Sequence, residues 1–166
     1  MVNGHDGLTR DTGDIANSYE YMFDINTGTS ESPTWTNVPE LTGLNPLHSP
    51  ITQDAAVYAD QGSSANRKTG SDFSLAFNLL RRRDPLTGEF QASWLALKAA
   101  ADADGEDNVL EVRYYDSKGA SDAYQGPCRV QRDARPEQGN AGLGWDAFSF
   151  ASVGRMQPIE NPLVAS

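Results

Sequence analysis

The sequence predicts a mainly β domain braced by one helix, and three observations carry that expectation. Short runs alternate apolar and polar residues, as in YEYMFDI, SDFSLAFNLL and LEVRYYD, and a period of two marks a strand with one buried face. Only the stretch from Asp84 to Gly105, DPLTGEFQASWLALKAAADADG, places its apolar residues at helical spacing instead. Fifteen glycines and nine prolines supply the turns that many short strands require.

At 166 residues the chain has the size of one domain with a real core. Its formal charge of −10, from 23 acidic against 13 basic residues, argues against a protein that grips nucleic acid. Gripping needs a basic surface, whereas an acidic wall repels DNA and lets it pass. The lone cysteine, Cys128, cannot close an internal disulfide, which fits assembly in a reducing cytoplasm. No apolar run approaches a membrane span and MVNGHDGLTR lacks the apolar centre of a signal peptide, so no membrane insertion is expected.

Taken in order, residues 1–18 are polar and read either as an arm that docks on a neighbouring subunit or as a disordered terminus. Tyr19–Ile25 alternates, with Tyr19, Tyr21, Phe23 and Ile25 on one face and Glu20, Met22 and Asp24 on the other, as in a half-buried strand. Thr34–Val38 is a second strand, with Trp35 as its expected core anchor. Residues 39–51 hold three prolines and a glycine, so they read as a loop, yet they also carry Leu41, Leu44, Leu47 and Ile51. Those side chains pack either on their own domain or on another subunit. His48 in this loop is expected to be exposed. Thr52–Asp60 and Ser71–Leu80 are predicted strands around a polar loop at 61–70. In the second, Phe73, Leu75, Phe77 and Leu79 face the core, and Ser74, Ala76 and Asn78 face water or a polar channel. Arg81-Arg82-Arg83 points three ways and reads as a solvated corner paired with carboxylates.

The helix is expected at about 87–103, with Phe90, Trp94, Leu97 and Ala101 as its stripe, flanked by Leu95 and Lys98. Asp84-Pro85 offers one start, Thr87 another, and Gly105 a left-handed stop. A single amphipathic helix cannot bury its stripe alone, so it should lie against β layers and close one side of their core. Val109–Tyr115 follows as a strand, with Leu110, Val112 and Tyr114 on one side. In Tyr124–Arg132, Tyr124, Cys128 and Val130 share one face and Gln125, Arg129 and Gln131 the other. Cys128 then reads as a small buried residue, and Pro127 as the mark of an edge or a bulge. Trp145–Val153 is the last predicted strand; its aromatics do not share a parity, which points to a bulge. The tail, 154–166, is too apolar to hang free.

No pattern of catalysis appears. Zinc spacing, a phosphate-cradling glycine loop and a GxSxG elbow are all missing, and Asp102-Ala103-Asp104-Gly105-Glu106-Asp107 lacks the remaining ligands of a calcium loop. The expectation is a protein with no enzymatic activity and no cofactor or metal.

In the order of its elements the chain resembles the tail tube (major tail) proteins of long-tailed bacteriophages, above all those with non-contractile tails. The aromatic first strand, the Trp35 strand, the proline- and leucine-bearing segment 39–51 and the hairpin ending DFSLAFNLLRR carry the first half of the likeness. FQASWLALKAA, LEVRYYD, AYQGPCRV, the FSF strand and the exit from Gly154 to Asn161-Pro162 carry the second. The resemblance implies an antiparallel β-sandwich or barrel-like tail tube fold with a flanking helix, similar also to the tube protein of type VI secretion. It implies an arm at 1–18, a β domain at 19–153 and a second arm at 154–166. It further implies stacked hexameric rings in a virion tail, built in the bacterial host cytoplasm. Partners would be copies of itself and the tail tip, tape measure and tail terminator proteins, with double-stranded DNA passing through. On that basis the candidates for the lumen are Asp54, Ala56, Tyr58, Ser74, Ala76, Asn78, Gln125, Arg129 and Gln131. The candidates for contacts between subunits are Leu41, Leu44, Leu47, Ile51, Ile159, Leu163 and Val164. The alternative is a β-sandwich carbohydrate- or receptor-binding tail component, using Trp35 or Trp145 at a groove.

Overall fold

The computed structural model describes residues 11–164; the first ten residues of the expected N-terminal arm and the last two of the C-terminal one lie outside it. The elements are β1 (Tyr21–Asn26), β2 (Trp35–Asn37), β3 (Leu41–Asp54), β4 (Asn66–Leu80), α1 (Ala92–Asp102), β5 (Val109–Asp116), β6 (Ala123–Arg132), β7 (Trp145–Ser152) and β8 (Gln157–Pro158). All pairings are antiparallel, in one eight-stranded sheet ordered β2-β1-β5-β6-β7-β4-β3, with β8 paired to β6. The sheet is not closed, so among the described residues β2 and β3 are its free edges.

The expected mainly β fold with one flanking helix is present, but its two layers belong to a single rolled sheet. Phe23 of β1 meets Phe77 of β4 and Phe150 of β7 at ring-centroid distances of 5.1 and 5.3 Å. Tyr114 of β5 stacks on Phe73 of β4 at 5.7 Å. Strands far apart in the order therefore share one core, as the right-handed twist of a large sheet allows. Helix α1 packs on β6 and closes one end of that core with Trp94, Leu97 and Ala100.

The helix begins later than predicted. Asp84 does not cap it: its Oδ1 accepts from the N–H groups of Leu86 and Thr87, at 2.7 and 3.0 Å, in a local turn. Gly88 takes a φ of +77° in that turn, and Arg83 bridges back to Phe90. The same aspartate chemistry that caps helices also closes turns, and here the turn wins. Phe90 thus lies before the helix, edge-on to Trp94 at 4.6 Å, and Ala100 rather than Ala101 is the buried alanine. Gly105, left-handed at φ +64°, opens a short 3-10 turn at Gly105–Asn108; the helix has already ended at Asp102.

The larger correction concerns residues 39–51, which form most of β3 rather than a loop. Phe73 directs its N–H toward β7. The pairs Asn45↔Ala76, Leu47↔Ser74 and Ser49↔Asp72 therefore carry the hydrogen bonds between β3 and β4. Pro46 and Pro50 fall between those pairs and face the free edge, where a missing N–H breaks no bond. Conversely, Thr52–Asp60 is not a strand throughout: β3 stops at Asp54, and Tyr58–Asp60 is a 3-10 turn at the hairpin tip. Because β7 covers β4 only from Ser74 to Leu80, the tip half of this hairpin projects from the body by roughly 20 Å at the usual strand rise.

Pro127 marks neither an outer edge nor a bulge, since β6 lies inside the sheet; its carbonyl accepts from Val153 just where β7 has ended. β7 pairs in continuous register with β4 and β6, so the expected bulge is absent there. Trp145 simply takes the face opposite to Phe148 and Phe150.

Candidate assembly surfaces

The alternation of β4 and β6 predicted two polar sets on the sheet's outer face, and the register brings most of them together. One row runs Leu47, Ser74, Ala151, Arg129 and the next Asn45, Ala76, Ser149, Gln131. A third joins Thr42, Asn78 and Ala147. The result is a field of mostly small, uncharged side chains, with the exposed Leu47 at one border and Arg129 at the other. Reading single strands missed the contribution of β7, which lies between the two predicted sets; the DAFSFAS alternation of Ala147, Ser149 and Ala151 was its signal. Gln125 shares the parity but stands apart, bonded to Glu111 Oε1 at 2.7 Å and opposite Arg113 and Gln157. Asp54, Ala56 and Tyr58 are also remote, at the exposed hairpin tip, where Asp54 Oδ1 accepts from Ala56 N–H at 2.9 Å.

The predicted contact leucines divide. Leu41 and Leu44 lie against the chain's own core, whereas Leu47 is exposed at the β3 side of the outer field and Ile51 on the projecting hairpin. The tail docks on its own domain. β8 pairs with β6, Met156 packs on the core, and the buried Asn161 donates to the carbonyls of Asp116 and Ala120 at 2.9 and 2.7 Å. Of the tail's three predicted contact residues, Ile159 is half-buried in that arrangement, and Leu163 and Val164 reach solvent.

Two carboxylates tie the scaffold. Asp146, 1% exposed, accepts from Trp94 Nε1 at 2.8 Å and from Arg135 Nε at 3.1 Å. Arg81 Nε stands 2.9 Å from its Oδ2, off the hydrogen-bonding direction, and Arg132 lies at 3.7 Å. The arginine run thus behaves as a paired corner, with Arg82 on Glu40 at 3.0 Å and Arg83 on the Gly88 carbonyl at 2.6 Å. Asp24 on the outer face is the second knot, held by Arg113, Tyr115 and Asn37. Trp35 is no core anchor; on the short edge strand it supports the Arg113 guanidinium 4.4 Å above its ring.

At the end of the core opposite α1, His48, exposed as expected, lays one side of its ring on Phe73 and Tyr124 and shares a hydrogen bond of 2.5 Å with Tyr114. Desolvation holds the imidazole below its ordinary pKa. The Tyr21 hydroxyl, bonded to Asp122, is pushed up to about 12, and burial lifts the Cys128 thiol to about 12. Cys128 sits wholly inside the core, as its parity predicted. Among the described residues, no three His, Cys, Asp or Glu side chains gather in a metal-holding group, and no helix is long and apolar enough to cross a membrane.

No protein-family model and no curated protein matches the sequence. Solved structures do match. A chain from the tail of an empty gene transfer agent (GTA) particle, refined helically with C6 symmetry, superposes with a TM-score of 0.60 at 13% identity, over 87% of this chain and 99% of that one. A chain of the native GTA virion gives 0.56 at 13% identity, covering 86% and 97%. One from the sixfold-symmetrised baseplate of the anti-feeding prophage (AFP) gives 0.50 at 7% identity, covering 88% and 96%. At such identities the agreement is one of fold, and it extends over nearly the whole of each chain: this protein has the fold of chains from phage-like tail assemblies.

Proposed function

We propose that this protein is the structural subunit of a phage-like tail tube of the non-contractile type. Six copies close into a ring, rings stack into a tube, and the viral genome travels through the lumen to the host cell. The observation that carries this reading is the fold shared, almost end to end, with a chain of a C6-symmetric tail. The protein's own surfaces support it. The sheet keeps two free edges, which copies of itself can join. The hairpin projects from one end with Ile51, Val57 and Tyr58 exposed, a heavy apolar load for a surface with no partner. A head-to-tail contact of that kind either closes as a ring or runs on as a filament, and a tube uses both modes.

The outer field of Ser74, Ala76, Asn78, Ser149 and Ala151 is the surface assigned to the lumen, with Arg129 and Gln131 on its flank. Duplex DNA carries about one charge per 1.7 Å, so a wall of small neutral groups gives it nothing to hold. The role is structural rather than catalytic, its place is the virion tail, and the tape measure, tail tip and terminator proteins are the partners that such a tube requires. The test is negative-stain microscopy of the purified protein, alone and with its tail-tip complex. Hollow tubes with sixfold end views are expected; monomers at every concentration, with the tip complex present, refute the proposal.

A further inference from the structure

β4 runs on past the end of its neighbour. Phe73 donates its N–H to Ser152 Oγ at 3.1 Å, a side chain standing in for the next residue of a strand. From Asn66 to Asp72, the edge of β4 turned away from β3 has no backbone partner among the described residues. On the far side, β8 pairs with β6 at Tyr124 and Gln125. A notch is left in the sheet along the line that β7 stops following. It is a groove of about 760 Å³, with Phe73, Tyr124 and Met156 among its apolar lining and Lys68 and Arg155 set against the single acid Asp72.

We infer that this notch receives residues 11–18 of a second copy of the chain as an added strand. The inference rests on the self-assembly proposed above and names one of its joints. The segment, DTGDIANS, carries two acids and no base, so its charge complements the groove. Ile15 is 88% exposed, a large aliphatic side chain with nothing to cover it on its own domain. In an extended strand Ile15 and Gly13 share a face, which puts the aliphatic on the apolar floor and a small residue beside it. Open strand edges bind extended segments through main-chain hydrogen bonds, and side-chain pockets select which segment. The chain's own segment does not take this place; residues 11–18 are exposed, and Asn17 turns back to Glu20. Arm and notch are different surfaces, so each copy that receives an arm still offers one, and the contact propagates instead of pairing off.

Disulfide trapping tests this directly. Ile15→Cys and Ser71→Cys are made as separate full-length proteins, mixed under assembly conditions and oxidised, with Cys128 buried and silent in both. A heterodimer on a non-reducing gel, absent when either variant is mixed with wild type, is the expected product. Charge reversal in the arm, Asp11→Lys with Asp14→Lys, should cut its yield by about tenfold, the effect of two exposed ion pairs. Tubes in the microscope without the heterodimer overturn the joint while sparing the tube. A heterodimer without tubes sustains the joint and counts against the tube. Neither product refutes both. A double variant that closes only within one chain at every dilution also overturns the inference.

Discussion

Replacing Asp146 by alanine should cost this protein about 3–5 kcal/mol of stability, the range for breaking a buried ion pair by removing one partner. The carboxylate is 1% exposed and faces three guanidinium groups and the Trp94 indole N–H. Without it the indole donor is left buried and unpaired, which alone costs about 1–3 kcal/mol. The side chains of Arg81, Arg132 and Arg135 are 20%, 28% and 50% exposed, so water recovers part of their loss and the value falls toward the lower end. Asp146→Asn keeps an oxygen for Trp94 and loses only the charge, so its cost should be smaller. Urea unfolding followed by tryptophan fluorescence reads the difference, in dilute monomer, because assembly adds its own free energy. With an m-value of about 2 kcal/mol/M, alanine lowers the midpoint by about 1.5–2.5 M. The gap should persist in 1 M salt, where exposed pairs such as Lys98–Asp102 are screened. A midpoint within about 0.25 M of wild type, which at that m-value is about 0.5 kcal/mol and the size of a surface effect, would refute the reasoning.

Asn161→Ala should destabilise the monomer by about 1–3 kcal/mol, because the buried Asn161 amide loses two hydrogen bonds, to the carbonyls of Asp116 and Ala120, each worth about 0.5–1.5 kcal/mol. Deleting 154–166 should therefore impair folding as well as assembly, and a truncated monomer with wild-type thermal stability would show the tail to be dispensable. Cys128 should resist a thiol reagent in the folded state and react in urea, since burial holds its thiol at about 12. The unfolded thiol ionises near 8.5, so the stability linked to this residue is intact below that pH and declines as pH rises toward 12. A Cys128 pH dependence of the opposite sign in chemical denaturation, against Cys128→Ala, would rule that out. Replacing Pro46 and Pro50 together by threonine should restore two outward N–H groups to the β3 edge and raise light scattering of the dilute protein, because an unguarded edge recruits strands. Unchanged scattering would mean that the prolines do not guard it.

Alternation alone located β5, β6 and the part of β4 from Ser71 onward, and the side each turns inward, because a strand with one face on a core must show that period in its residues. Residues 66–70, polar and off the core, read as loop although they are paired strand. The parity of Cys128 and of the Ser74, Ala76 and Asn78 set came with it, as did the pairing of the arginine corner. Other features depend on who lies beside whom. Residues 39–51 read as a loop since proline and glycine break strands in general; only the strand order shows that Pro46 and Pro50 face a free edge, where the lost donors matter little. Asp84 carried a helix-cap signal that a local turn used instead, and Trp35 looked like core until β2 proved to be a three-residue edge under Arg113. The tail's apolar residues spoke for docking without saying on what, and long-range pairing with β6 decided in favour of its own domain. The candidate lumen field was half visible for the same reason. Parity is a property of one strand, but the row of neighbours that makes a surface is set by register between strands far apart in the chain, through hydrogen bonds that no local pattern records.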